Sequence, residues 1–224
     1  MSEDAPRERA VRLVDVLPWA ALAACASCVV MLRPVSPSTS EEAALVLSLR
    51  VGESGGGAAP AWWLLGRGLA LLRIEPFVGF QLLGVLAWAL GVASMFGIWA
   101  RRASSGLPAW LAAAAFAAWP SLVFRAAMAT PDAAGLGLAV AALASLSAAG
   151  RRAWTGFALA AASVAVLPGA LWVVLPAVGL TVWQGWRAGR QRELGLAVVV
   201  GVGVSAVLWG AWWLQGPGSG GLSA

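Results

Sequence analysis

Two short stretches carry acid in a chain that otherwise has little of it. One is "STSEEAALV", with Glu41 and Glu42; the other is "ATPDAAG", with Asp132. A carboxylate within hydrogen-bond reach of a hydroxyl acts as a general base. A second carboxylate can hold a divalent metal or orient an acceptor. Arg67, Arg73 and Arg125 lie on or near the segments that carry these acids. A guanidinium presents a planar fork of donors that matches phosphate oxygens. Base and fork together suit the transfer of a group from a departing phosphate to a hydroxyl. Glu41, Glu42 and Asp132 are therefore candidate catalytic residues, and Arg67, Arg73 and Arg125 candidate substrate-binding residues.

Other chemistries are excluded by what is missing. The 224 residues include no histidine, tyrosine, lysine or asparagine, and all fifteen basic residues are arginine. Ser-His-Asp and Cys-His catalysis, histidine metal sites, Schiff-base lysines and P-loop lysines are all ruled out. Cys25 and Cys28 form a C-x-x-C inside an apolar run with no second ligand pair, so they read as small apolar filler. The net charge of +5 does not point to nucleic acid, because most arginines sit in short clusters between apolar runs, where they act as insertion signals.

The elements that must position the candidates are membrane spans. The chain is 60% hydrophobic and 11% charged, where soluble domains carry about 25% charged residues. The expected fold is all-α, a polytopic bundle of about seven transmembrane helices forming one module over residues 13–214. Residues 1–12 form a cytoplasmic tail and residues 215–224 a flexible one. The first run spans about Leu13 to Leu32, the length of a transmembrane helix. A long loop, residues 33–76, follows. Within it, Ser38 to Glu41 and Thr39 to Glu42 fit a capping box that opens a helix to about Val51. "AWWLLGRGLALLR" reads as an interfacial or re-entrant helix. Further runs cover 77–100, 107–124, 132–149, 153–167, 169–186 and 194–214, with Arg125 to Pro131 as a polar turn. With the N-terminus cytoplasmic, ten arginines fall inside and five outside, which satisfies the positive-inside rule. The C-terminus is then outside, and Glu41, Glu42 and Asp132 all fall at the outer face.

Acids at an outer membrane face, beside an apolar loop helix and several arginines, suit a lipid-linked donor. A sugar carried on a polyprenyl phosphate needs an apolar groove for the lipid, cations for the phosphate and a base for the acceptor. Each side chain also has a structural reading. Glu41 and Glu42 fit helix caps. Asp132 fits a first-turn acid behind Thr130 as N-cap and Pro131 as N1. Arg125 fits a snorkelling end-residue, and Arg67 and Arg73 fit non-specific headgroup contacts. The tryptophans near run ends fit interface anchors. Gly135/Gly137 and Gly201/Gly203 fit helix packing.

The layout resembles the GT-C superfamily of membrane glycosyltransferases, particularly bacterial relatives of protein O-mannosyltransferases and of the aminoarabinose transferase. "STSEEAALVLSLRVG" stands where that family has its acidic loop motif. "PAWWLLGRGLALLRIEPFVGFQLLGVLAWALG" resembles the loop's end and second span. "ATPDAAGLGLAVAALASL" resembles the "PD" at the fourth span, and "WTGFALAAASVAVLPGALWVVLPAVGL" the hairpin of spans five and six. The resemblance covers about residues 13–214. It implies a transferase that moves a sugar from a polyprenyl-phosphate-linked donor to an acceptor at the outer face of the bacterial inner membrane. Glu41 or Glu42 would be the base and Asp132 the second acid. The implied partners are the lipid-linked donor, membrane lipids and a membrane protein; no cofactor is fixed beyond the option of a divalent metal. The family's first-motif aspartate, its loop histidine and its hairpin lysine or histidine are all absent here. Seven runs are also fewer than full-length relatives carry. These departures imply, as the alternative, a truncated module or a non-catalytic subunit of the same fold.

Overall fold

A computed structural model describes Ala43, Val46, Leu47 and residues 60–102, 106–147 and 153–215. The first run, the "CASC" pair, Glu41, Glu42 and residues 216–224 lie outside the described residues. Those described are all-helical, with no strand among them. The helices are α1 (Pro60–Leu71), α2 (Pro76–Ala100), α3 (Leu107–Ala117), α4 (Pro120–Ala127), α5 (Pro131–Ser147), α6 (Ala153–Val166), α7 (Leu171–Arg187) and α8 (Gln191–Gln215). A 3₁₀ turn, Pro168–Ala170, joins α6 to α7.

Proline sets where most of these helices begin. α1, α2, α4 and α5 open on Pro60, Pro76, Pro120 and Pro131, and α3 has Pro108 in its first turn. The missing N–H of proline costs nothing at a helix start, where that donor is unpaired anyway. Inside a helix the same residue removes a hydrogen bond and clashes with the carbonyl four residues back. This breaks the span expected over 107–124. The chain leaves helical geometry at Trp119, restarts on Pro120, and bends by 57° between α3 and α4. The expected polar turn from Arg125 shortens accordingly, because Arg125 belongs to the last turn of α4.

Three stretches are long and apolar enough to cross a membrane: Pro76–Ala100, Pro168–Arg187 and Gln191–Gly210. The bent α3–α4 pair gives a fourth if it counts as one span. The apolar helices α5 and α6 are shorter. Large apolar side chains cover the outside, including Trp172, Leu175 and Leu180 on α7 and Val199, Val202 and Val207 on α8. An apolar exterior of this extent is unsuited to water and suited to lipid, consistent with a membrane protein.

Inside such a bundle, lipid tails compete as well as leucine for apolar contact, so close packing of small residues holds helices together. α5 runs along the middle and shows this best. Ala133, Ala134, Ala139, Ala141 and Ala142 are all buried. α2 and α5 run parallel and meet at Gly91 and Gly137. A methyl built on Gly137 would lie 2.0 Å from the Ala87 carbonyl oxygen, and one on Gly91 2.9 Å from the Gly137 Cα. Gly135 is equally confined, by Leu167; Gly201 makes only ordinary contact with Phe157, and Gly203 meets nothing within 4 Å. At the far end of the pair, Arg101 Nη2 donates to the Ala144 carbonyl at 3.0 Å and ties α2 to α5.

Candidate functional site

α1, the start of α2, the α4–α5 turn, the start of α5 and the end of α6 converge at one end of the bundle. Their buried residues form one cluster: Val46, Ala61, Trp62, Trp63, Phe77, Phe80, Ala129, Ala134, Ala165 and Val166. Trp62 is its keystone. The indole stacks on Phe80 with ring centroids 4.7 Å apart. Its Nε1 donates to the Ala129 carbonyl at 3.0 Å. That bond satisfies a carbonyl in the turn between α4 and α5, where no helix can supply a donor. The expected interfacial segment is therefore a packed helix. Trp62 and Trp63 are 1% and 2% exposed, so they are core residues and not interface anchors; Trp88 in α2 is buried as well.

Three residues beyond Ala129, Asp132 stands in the first turn of α5. Its Oδ2 accepts from Arg125 Nη1 in an ion pair across the turn. The structure thus joins one expected acid to one expected phosphate-binding arginine. The pair is partly exposed, with the Arg125 side chain 52% exposed and that of Asp132 28%. Only one guanidinium N–H is engaged among the described residues, which leaves most of the fork available to a further anion. Thr130, expected to cap α5, does not do so through its side chain: its Oγ1 is buried without a hydrogen-bond partner.

The other two arginines do not join the pair. Arg67 lies over the Trp63 ring at 5.5 Å and so borders the same cluster. Arg73 is exposed just beyond α1, about 9 Å further along if measured as helix. Among the described residues, no hydrogen bond or ion pair links Arg67 or Arg73 to Asp132. Arg73 is unusual in its backbone. Its φ is 57°, the left-handed region that L side chains enter at a cost. It occupies the C′ position of a Schellman motif, in which its N–H reaches the Ala70 carbonyl and the Ile74 N–H the Leu69 carbonyl. Glycine is the residue expected there, as Gly189 shows at the end of α7 with φ 71°.

A divalent metal does not fit the described residues. Such ions want six or more oxygen ligands. No three Asp, Glu, Cys or His groups converge among the described residues. Asp132 is held by Arg125, and Glu75 accepts from the Val78 N–H at 2.8 Å as the cap of α2. Two residues of this end stood out less in the sequence than they do in space. Gln81 is 2% exposed in an otherwise apolar α2, and a lone amide in an apolar run is the signal that marks it. Trp62 carried no such signal, since its indole N–H is specific only once the Ala129 carbonyl is seen beside it. Glu41 and Glu42 lie outside the described residues, and so does any geometry of the expected base. No family model, curated protein or solved structure was found to match the chain.

Proposed function

We propose that this protein is a membrane glycosyltransferase of GT-C type, which transfers a sugar from a polyprenyl-phosphate-linked donor to an acceptor at the outer face of a bacterial inner membrane. A seven-span module, N-terminus inside and C-terminus outside, belongs to the same proposal. The observation that carries it is the docking of α1 through Trp62 on the turn that presents the Arg125–Asp132 pair. Loop helix and fourth-span acid, distant in sequence, share one end of the bundle. Val46 belongs to the same cluster, and Glu42 is four residues before it.

The ion pair favours a division of labour. A carboxylate already bound to a guanidinium is better suited to orienting that guanidinium than to accepting a proton. Asp132 then acts as a positioning residue for Arg125, Arg125 receives the departing phosphate, and the base is Glu41 or Glu42. Arg67, at the edge of the cluster, adds positive charge on the same side. The same engagement of Asp132 and Glu75 favours a second reading, a non-catalytic subunit of this fold.

The purified chain, incubated with polyprenyl-phosphate-linked sugars and a membrane and cell-envelope extract as the source of acceptor hydroxyls, is assayed for release of polyprenyl phosphate. Glu41→Gln or Glu42→Gln abolishes release, by about 10²–10⁴-fold for loss of a base. Asp132→Asn raises KM for the lipid donor more than it lowers kcat. If all three variants remain fully active, the assigned base and its partner are wrong. Absence of release from the wild type, with stable co-purification of a larger membrane protein, selects the non-catalytic subunit.

A further inference from the structure

The opposite end of the bundle holds a cleft with a chemistry of its own. It has a volume of about 500 Å³ and lies between α2, α5, α7 and the start of α8. Its cause is legible in α7. Ala177, Thr181 and Ala188 line the cleft and are too small to fill it, while Gly185 lets α7 close onto the Leu194 side chain of α8. Only Val174 of α7 is buried, so this helix leans on the bundle by its upper part. Leu143 and Leu146 of α5 give the cleft an apolar wall. Leu180 lines it too and is 52% exposed, so the wall continues onto the lipid-facing surface.

The mouth is cationic. Arg102 lines it, is exposed, and its guanidinium makes no hydrogen bond or ion pair among the described residues. Arg190 lines it too, half-buried, with its Nε donating to Glu193 Oε2 at 2.9 Å. Arg101, Arg187 and Arg192 stand at the same end, so the charge here is strongly positive despite Glu193. Apolar walls open to lipid and a cationic rim complement one kind of molecule; the Ser147 and Thr181 hydroxyls donate to the Ala144 and Ala177 carbonyls of their own helices. A basic pocket between membrane helices holds an anionic headgroup while its chains follow the apolar wall. The volume lies in the range that encloses small ligands.

We propose that this cleft binds one anionic phospholipid of the adjacent leaflet, its phosphate at Arg102 and its upper acyl chains along Leu143, Leu146 and Leu180. Arg102 supplies the attraction, and Glu193 tempers it by holding Arg190. The site is independent of the transferase reading and lies at the other end of the molecule.

The test uses the full chain, purified in a neutral detergent and offered phosphatidylglycerol or phosphatidylcholine, with bound lipid counted by native mass spectrometry. One phosphatidylglycerol per chain is retained, and phosphatidylcholine is not. Arg102→Gln weakens retention about fivefold, the worth of one arginine near an anionic surface. Glu193→Gln strengthens it by a similar factor, and Arg192→Gln, outside the cleft lining, weakens it by less than Arg102→Gln does. Both lining positions are exposed, so folding is not at stake. Equal retention of the two lipids, equal loss in Arg192→Gln and Arg102→Gln, or no retained lipid overturns the proposal.

Discussion

Arg125 and Asp132 meet across a three-residue turn, and their exposure decides how much the contact matters for stability. Exposed ion pairs contribute about 0.2–1 kcal/mol, so Asp132→Asn shifts thermal unfolding little. A large functional defect in that variant then reflects the site and not the fold; unfolding followed in detergent beside the release assay separates the two. Trp62 is the opposite case. Trp62→Phe keeps the stack on Phe80 but removes the buried hydrogen bond to the Ala129 carbonyl, a loss of about 0.5–1.5 kcal/mol. The same unfolding assay reads it. Arg73 is held where glycine would be at ease. Arg73→Gly removes the left-handed cost of about 1–2 kcal/mol and raises the unfolding temperature. If the arginine contacts the donor phosphate, the stabilised protein also binds its lipid donor more weakly, and that combination distinguishes a retained functional arginine from an accident of the turn.

Among the elements, α2 and α5 form the parallel pair on which the rest is built, and their crossing tolerates no side chain. Gly137→Ala puts a methyl against the Ala87 carbonyl, so backbone must move; overpacking of this kind costs about 1–3 kcal/mol or more. Gly68, in the middle of α1, has nothing within 4 Å of a built methyl. Gly68→Ala stabilises by about 0.5–1 kcal/mol through helix propensity alone. The two substitutions are chemically identical, and unfolding midpoints of opposite sign check that contact, not glycine content, governs this bundle. The broken α3–α4 element follows from the same level. Pro120 ends one helix and begins the next, and the 57° bend brings Arg125 back towards α5. The bend also moves Arg125 from the expected turn into the last helical turn of α4, from which it reaches Asp132.

At the scale of the whole molecule, the two ends differ in charge and in construction. One end is closed by α1 and its tryptophans; the other carries Arg101, Arg102, Arg187, Arg190 and Arg192 around a cleft. In the topology proposed above, the positive-inside rule puts the second end on the cytoplasmic side. In a background with Cys25 and Cys28 replaced by alanine, Leu72→Cys and Gly169→Cys react with a membrane-impermeant maleimide in intact cells, and Ala188→Cys reacts only after lysis. The reverse pattern inverts the molecule and removes the outer-face transferase with it.

The amino-acid sequence by itself determined the all-helical character, several of the helix starts and the clustering of arginines between apolar runs, because apolar run length, proline and charge act locally; the break at Pro120 was not read from it. It also singled out Arg125 and Asp132, since an arginine and an acid stand out in so apolar a chain. Their pairing was decided only by the tertiary structure, through the bend at Pro120. So was the burial of Trp62 and Trp63, which as a tryptophan pair near arginine look like interface anchors until Phe80 and the Ala129 carbonyl close over Trp62. The cleft beside α7 is of the same kind. Small residues at helical spacing serve equally for close packing or for a gap, and which of the two they make depends on where the neighbouring helices come to rest.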